Sequence, residues 1–69
     1  MTRDPRVDPE PGDVVGKDNL PYRRIVYSGL GNVKYRRLNP GADHDVYGIV
    51  FLTTWRKWAK GAEVIYVAK

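Results

Sequence analysis

The sequence predicts a small, mostly β domain with five short strands and one short helix before the last strand. Short segments rich in Val, Ile and Tyr recur between residues 14 and 68, separated by clusters of Gly, Pro, Asn and Asp. Residues 53–63 instead have the spacing of a helix. The five Tyr, two Trp and one Phe supply large side chains for the core of a chain of only 69 residues.

The first strand, at residues 14–15, follows a turn at Pro11-Gly12-Asp13, and residues 16–22 are predicted as a loop. Residues 29–32 are predicted as a hairpin loop in which Gly and Asn adopt positive φ. Segment 46–52 is apolar on both faces, which predicts a strand at the centre of the sheet. The remaining strands are predicted at residues 23–28, 33–38 and 63–68.

The helix is predicted at about residues 54–61, with Thr53 or Thr54 as N-cap and Gly61 as the stop. Four residues share one helical face by their spacing, namely Trp55, Trp58, Ala59 and Ala62. We expect this face to pack against the sheet. The alternative is that the two tryptophans form an exposed anchor for a protein partner.

Strand, strand, strand, strand, short helix and strand is the element order of an SH3-like barrel. A strongly bent, five-stranded antiparallel sheet that stays open has the same order. Both alternatives give one small β-barrel-like domain at residues 13–69. Residues 1–12 hold three prolines and are predicted as an extended N-terminal arm, either disordered or packed on the domain.

The composition argues against several classes of protein. The chain has no cysteine, so disulfides and thiolate metal sites are excluded. We see no secretion signal and no apolar run long enough to span a bilayer, which predicts a cytoplasmic protein without membrane contact. We predict no cofactor and no metal.

Catalytic groups are scarce. The single Ser and single His, Ser28 and His44, would have to act together without a nearby oxyanion-hole signature. The run Asp43-His44-Asp45 has metal-binding residue types, but consecutive ligands converge poorly on one ion, and a solvated turn is the alternative. Gly29-Leu30-Gly31 lacks the residues of a phosphate loop. We therefore predict that the protein is not an enzyme.

The charge is uneven along the chain. Residues 1–20 carry five acidic and three basic residues, whereas residues 21–69 carry nine basic and three acidic ones. A basic domain attracts anionic partners. Basic residues interleaved with tyrosines suit nucleic acid, although they also suit ordinary solvated faces. The predicted partner-binding residues are Arg23, Lys34, Arg36, Arg37, Arg56, Lys57 and Lys60.

Both ends of the chain resemble a group of short, mostly uncharacterised proteins of bacteriophages and prophages. The matching residues are Asp4-Pro5-Arg6-Val7-Asp8-Pro9 with Pro11-Gly12-Asp13, and Trp55-Arg56-Lys57-Trp58-Ala59 with Ala62-Glu63-Val64. The middle of the chain matches only as a strand pattern. The resemblance implies expression in the cytoplasm of a bacterial host. It implies no activity and no functional residue.

Taken together, these features predict a non-enzymatic binding protein of phage type, a monomer or weak homo-oligomer. Its partner is a bacterial host protein or a nucleic acid, bound through a basic and aromatic surface. The alternatives are a weak, non-specific nucleic-acid-binding module and a structural or assembly protein of the virion.

Overall fold

The computed structural model describes residues 3–17, 21–38 and 46–68. Their fold is mostly β, a five-stranded antiparallel sheet with one helix before the last strand, as the sequence predicts. In chain order the elements are β1 (Val14–Gly16), β2 (Tyr22–Gly29), β3 (Asn32–Leu38), β4 (Val46–Phe51), α1 (Leu52–Ala59) and β5 (Glu63–Tyr66).

The strands are arranged in the order β4-β3-β2-β1-β5. β1 therefore lies between β2 and β5, while β4 and β5 form the two edges of the sheet. The sheet is not closed into a barrel, so an open sheet is the form that the described residues take. α1 packs on one face of this sheet, which we call the inner face.

The inner face holds the hydrophobic core. Alternating residues of a strand point to opposite faces, and the core members from β1, β2 and β3 are Val15, Ile25, Val33 and Tyr35, each at most 4% exposed. From α1 and the turn after it come Trp55, Ala59 and Ala62, with Trp58 packed against them. The prediction that the helical stripe faces the sheet is confirmed.

β4 does not lie at the centre of the sheet, so that prediction is wrong. Tyr47, Ile49 and Phe51 are 52%, 68% and 69% exposed, on the face that α1 does not cover. β-Branched and aromatic residues favour strands whether or not both faces are buried. Apolar residues on both faces of a segment therefore did not show where it lies in the sheet.

The helix begins earlier than predicted and has no threonine cap. Its N-cap residue is Phe51, which makes no side-chain capping hydrogen bond. β4 runs directly into α1, and the Leu52 amide donates to the carbonyl of Gly31 at 2.8 Å. Two residues beyond the last helical residue lies Gly61, which does not have positive φ. Sheet contacts, not local capping signals, therefore set the start of the helix.

The β2–β3 hairpin turns through Leu30 and Gly31, whose φ angles are 52° and 78°. Two consecutive positive φ values are typical of the type I′ turn that fits the twist of a two-residue hairpin. The sequence predicted that Gly and Asn would supply this geometry. Gly31 does so as predicted, but the other position is occupied by Leu30, and Asn32 begins β3.

A bulge in β2 decides which face its residues occupy. Ile25 lies opposite Tyr35, but Tyr27 lies opposite Lys34, so Val26 is an extra residue. The extra residue reverses the alternation of β2 beyond it. Tyr27 consequently points to the outer face, the face opposite α1.

Residues 3–13 pack against the helix and the end of β5. Trp55 Nε1 donates to the carbonyl of Pro5 at 3.0 Å, and Arg56 Nε donates to the carbonyl of Val7 at 2.8 Å. The amides of Val7 and Asp8 both donate to the carbonyl of Asp4. The segment predicted as an extended arm thus contains a turn, and this turn covers the side of α1.

Asp13 fastens the arm to the end of the described chain. Its side chain is fully buried, and Arg3 binds both carboxylate oxygens. The same carboxylate accepts the amides of Glu10 at 2.8 Å and Ala68 at 2.7 Å. Burial opposes ionisation, but the hydrogen bonds from Arg3, Ala68 and Glu10 outweigh it and hold the pKa of Asp13 below its ordinary value.

Candidate functional site

The seven predicted binding residues fall into three groups. Lys34 and Arg36 point to the outer face of β3, whereas Arg37 and its cross-strand partner Arg23 point to the inner side. Arg56, Lys57 and Lys60 lie on the helix or just beyond it. One continuous basic surface that includes all seven residues is therefore not formed.

The outer face of β2, β3 and β4 alternates basic and apolar side chains. The strand register places Arg24, Arg36 and Tyr47 in one row, and Tyr27, Lys34 and Ile49 in the next. Phe51 lies at the end of β4, opposite Asn32 and beside the turn between β2 and β3. We call these seven residues the outer patch.

The rings of the outer patch are open to solvent. Tyr27 is 50% exposed, Tyr47 is 52% exposed and Phe51 is 69% exposed. Lys34 Nζ lies 5.4 Å from the centre of the Tyr47 ring, a distance at which a cation is attracted to the ring face. The patch thus offers positive charge beside accessible aromatic faces.

Arg24 belongs to this patch, although it was not among the predicted binding residues. It lies opposite Arg36 on β3 and opposite Val14 on β1. The signal in the sequence was the two-residue alternation that separates Arg24 from Arg23. That signal is usable only after the facing strand and its register are known.

Arg23 has a different environment. Its guanidinium lies 3.9 Å from the centre of the Trp58 ring and 4.4 Å from that of Tyr35. Burial lowers the pKa of Arg23, and the nearby positive charge of Arg37 lowers it further, while Tyr35 acts in the opposite direction. Arg23 is therefore held within the aromatic packing and is not a member of the outer patch.

Two of the three helical cations, Arg56 and Lys60, face the N-terminal arm. A cavity of about 300 Å³ is lined by Asp4, Arg6, Val7, Arg56 and Lys60. Arg6 already forms an ion pair with Asp4, and Arg56 donates to the arm backbone. Lys57 is exposed. This group has mixed charge and is separated from the outer patch by the sheet.

The residues weighed for catalysis and metal binding are only partly described. Ser28 is half-buried near the end of β2, while Asp43, His44 and Asp45 lie outside the described residues. Within residues 3–17, 21–38 and 46–68, no three His, Asp or Glu side chains are grouped as metal ligands would be. The described helix is too short to cross a membrane.

Neither a protein-family model, nor a curated protein, nor a solved structure matches the chain. A function for this domain must therefore be argued from its own geometry. The outer patch combines positive charge with three exposed rings on one face of the described sheet.

Proposed function

We propose that this domain is a non-enzymatic binding protein that holds single-stranded nucleic acid on its outer patch, without sequence preference. The observation that carries the proposal is the side-by-side placement of Arg24, Lys34 and Arg36 with the exposed rings of Tyr47 and Phe51. Cations bind the phosphates, and ring faces stack on the bases.

The chemistry favours single strands over duplexes. Stacking on an aromatic side chain requires a base whose face is free, and each such contact contributes about 1–3 kcal/mol whatever the base. The phosphate contacts make affinity fall as salt rises, because bound counterions are released. A patch with three cations and three rings supports binding of this kind. It has no set of hydrogen-bonding groups that would distinguish one base sequence from another.

The strand order and the helix before β5 support classifying the domain as an open variant of the SH3-like fold. The resemblance of the chain ends to phage proteins supports a setting in the cytoplasm of a bacterial host. Both statements are part of the proposal. Neither is needed for the outer patch to bind its ligand.

A bacterial protein is the second candidate partner, favoured by Ile49 and Phe51. These two side chains are 68% and 69% exposed on an edge strand, and neighbouring exposed apolar side chains mark protein interaction sites. The same exposed edge supports the third alternative, self-assembly in a virion by strand pairing.

The proposal is tested with a fluorescently labelled oligothymidylate and fluorescence anisotropy. We expect affinity to fall steeply between low and physiological salt, and Tyr47→Ala to weaken binding by roughly fivefold or more. Lys34→Glu should weaken it strongly, because it reverses a charge within the patch. Lys57→Glu is the matched control, since it makes the same charge change on the helix.

The proposal fails if the oligonucleotide does not bind at micromolar protein, or if binding does not respond to salt. It also fails if Lys57→Glu and Lys34→Glu have equal effects, since the attraction would then come from overall charge. A partner captured from nuclease-treated bacterial lysate, and lost with Phe51→Ala, would favour the protein candidate.

A further inference from the structure

A second group of cations lies on the inner side of the sheet, around the ring of Trp58. Lys17 Nζ is 4.9 Å and the Arg23 guanidinium 3.9 Å from the centre of that ring. Trp58 itself is half-buried. Both cations therefore contact the ring of one aromatic side chain.

Arg37 adds a third positive charge. It lies directly across from Arg23 in the β2–β3 register and is exposed. Within the described residues, the ion pairs are Arg3–Asp13 and Arg6–Asp4. None of the three cations forms an ion pair with a described carboxylate. Three like charges are thus gathered without a described counter-charge.

Two aromatic rings restrict the guanidinium of Arg23 and with it the hydrogen-bond donors. A guanidinium is planar, with its N–H groups around the rim, so rings that cover its faces leave the donors directed sideways. Arg23 Cζ lies over the rings of both Trp58 and Tyr35, so these rings restrict the movement of the guanidinium. A donor group fixed in this way loses little freedom when it binds an oxyanion.

We propose that Lys17, Arg23 and Arg37 form a binding site for a phosphate group, distinct from the outer patch and on the opposite face of the sheet. We call it the rim site. A phosphate group fits better than a carboxylate, because its several acceptor oxygens and higher charge match three cationic donors. Phosphate would also relieve the repulsion between Arg23 and Arg37.

The half-buried Trp58 reports on this site directly. We expect the tryptophan fluorescence of the full chain to change and saturate as inorganic phosphate is added, compared with sodium chloride at equal ionic strength. Trp58→Phe should abolish that change, because the other tryptophan, Trp55, is fully buried. Circular dichroism verifies that each variant remains folded.

Charge-removing variants then locate the binding. Arg37→Gln and Lys17→Gln should each weaken phosphate binding by roughly tenfold or more, since each removes a charged donor. Lys57→Gln is the matched control and should leave affinity unchanged. Phosphate binding that does not saturate, or that Arg37→Gln and Lys17→Gln leave intact, would overturn the rim site.

Two probes identify the source of the phosphate. Thymidine 5′-monophosphate presents a monoester, and dimethyl phosphate presents the diester of a nucleic-acid backbone. Binding of the monoester alone indicates a small phosphorylated ligand, whereas binding of both indicates that the site accepts backbone phosphate. Lys34→Glu should leave inorganic phosphate binding intact, because Lys34 belongs to the outer patch. The experiments therefore test the rim site and the outer patch independently.

Discussion

Leu30 has an unfavourable backbone conformation at the tip of the hairpin. Its φ is 52° and its side chain is 94% exposed, so it adopts left-handed geometry without the compensation of burial. Asn tolerates this region better than Leu, and Asn-Gly is a preferred pair for this turn. We predict that Leu30→Asn raises the free energy of unfolding by about 1 kcal/mol.

Urea denaturation measures this effect, with Leu30→Ala as control. Alanine also removes the exposed side chain, but it retains the Cβ that disfavours positive φ. A similar gain from both variants would show that hydrophobic exposure, and not backbone conformation, limits stability at the turn.

For individual residues, part of the fold and of the site could be predicted from the sequence. The spacing of Trp55, Ala59 and Ala62 assigned their common buried side correctly, because a helix is local and has a fixed period. The positions of Tyr27 and Arg24 could not be assigned in the same way. The bulge at Val26 depends on how β2 meets β3, and nothing within β2 alone indicates it.

Among the elements, β3 and β4 depend on a close approach at Gly48. Tyr35 lies opposite Gly48, and a Cβ placed there would come within 2.5 Å of the Tyr35 ring. Tyr35 is 4% exposed and also packs against Trp55, with ring centres 6.0 Å apart. The ring therefore has little space into which it can move.

We predict that Gly48→Ala lowers the free energy of unfolding by about 1–3 kcal/mol, the usual range for overpacking. Chemical denaturation followed by tryptophan fluorescence measures it. Gly61→Ala is the matched control, because a Cβ there meets no atom within 4 Å and the residue lacks positive φ. Equal losses in both variants would contradict the packing argument.

The elements themselves were largely predictable, but their arrangement was less so. All five strands and the helix appear near their predicted positions, since alternation, turn residues and helical spacing are local patterns. The apolar residues on both faces of β4 predict a position at the centre of the sheet. β5 pairs with β1 and not with β4, which leaves β4 at the edge of the sheet. Because this pairing joins distant parts of the chain, the sequence of β4 alone does not indicate it.

Asp13 joins the arm, β1 and the end of the described chain. We predict that Asp13→Asn lowers the free energy of unfolding by about 1–3 kcal/mol near neutral pH, because it removes the buried carboxylate that binds Arg3 and two backbone amides. Asp8→Asn is the control, since it removes the same charge from an exposed position in the arm.

The hydrogen-bonded Asp13 carboxylate also predicts that the stability of the domain depends on pH. The folded-state pKa of Asp13 is lowered, so its stabilisation is fully present above the unfolded value of about 3.9. It is lost as pH falls from there through the folded-state value. The stability difference between the wild type and Asp13→Asn should shrink below about pH 4. A difference that stays constant into strong acid would contradict this assignment.

The position of β1 between β2 and β5 also bears on the order in which the sheet can form. β2, β3 and β4 can form a meander from local contacts, because consecutive strands pair with one another. β1 precedes them in the chain, yet it also pairs with β5, and the Ala68 amide that binds Asp13 lies 55 residues after Asp13. Completing the pairing of β1 therefore requires the closure of a long loop, which makes the last strand the slow part of the fold to assemble.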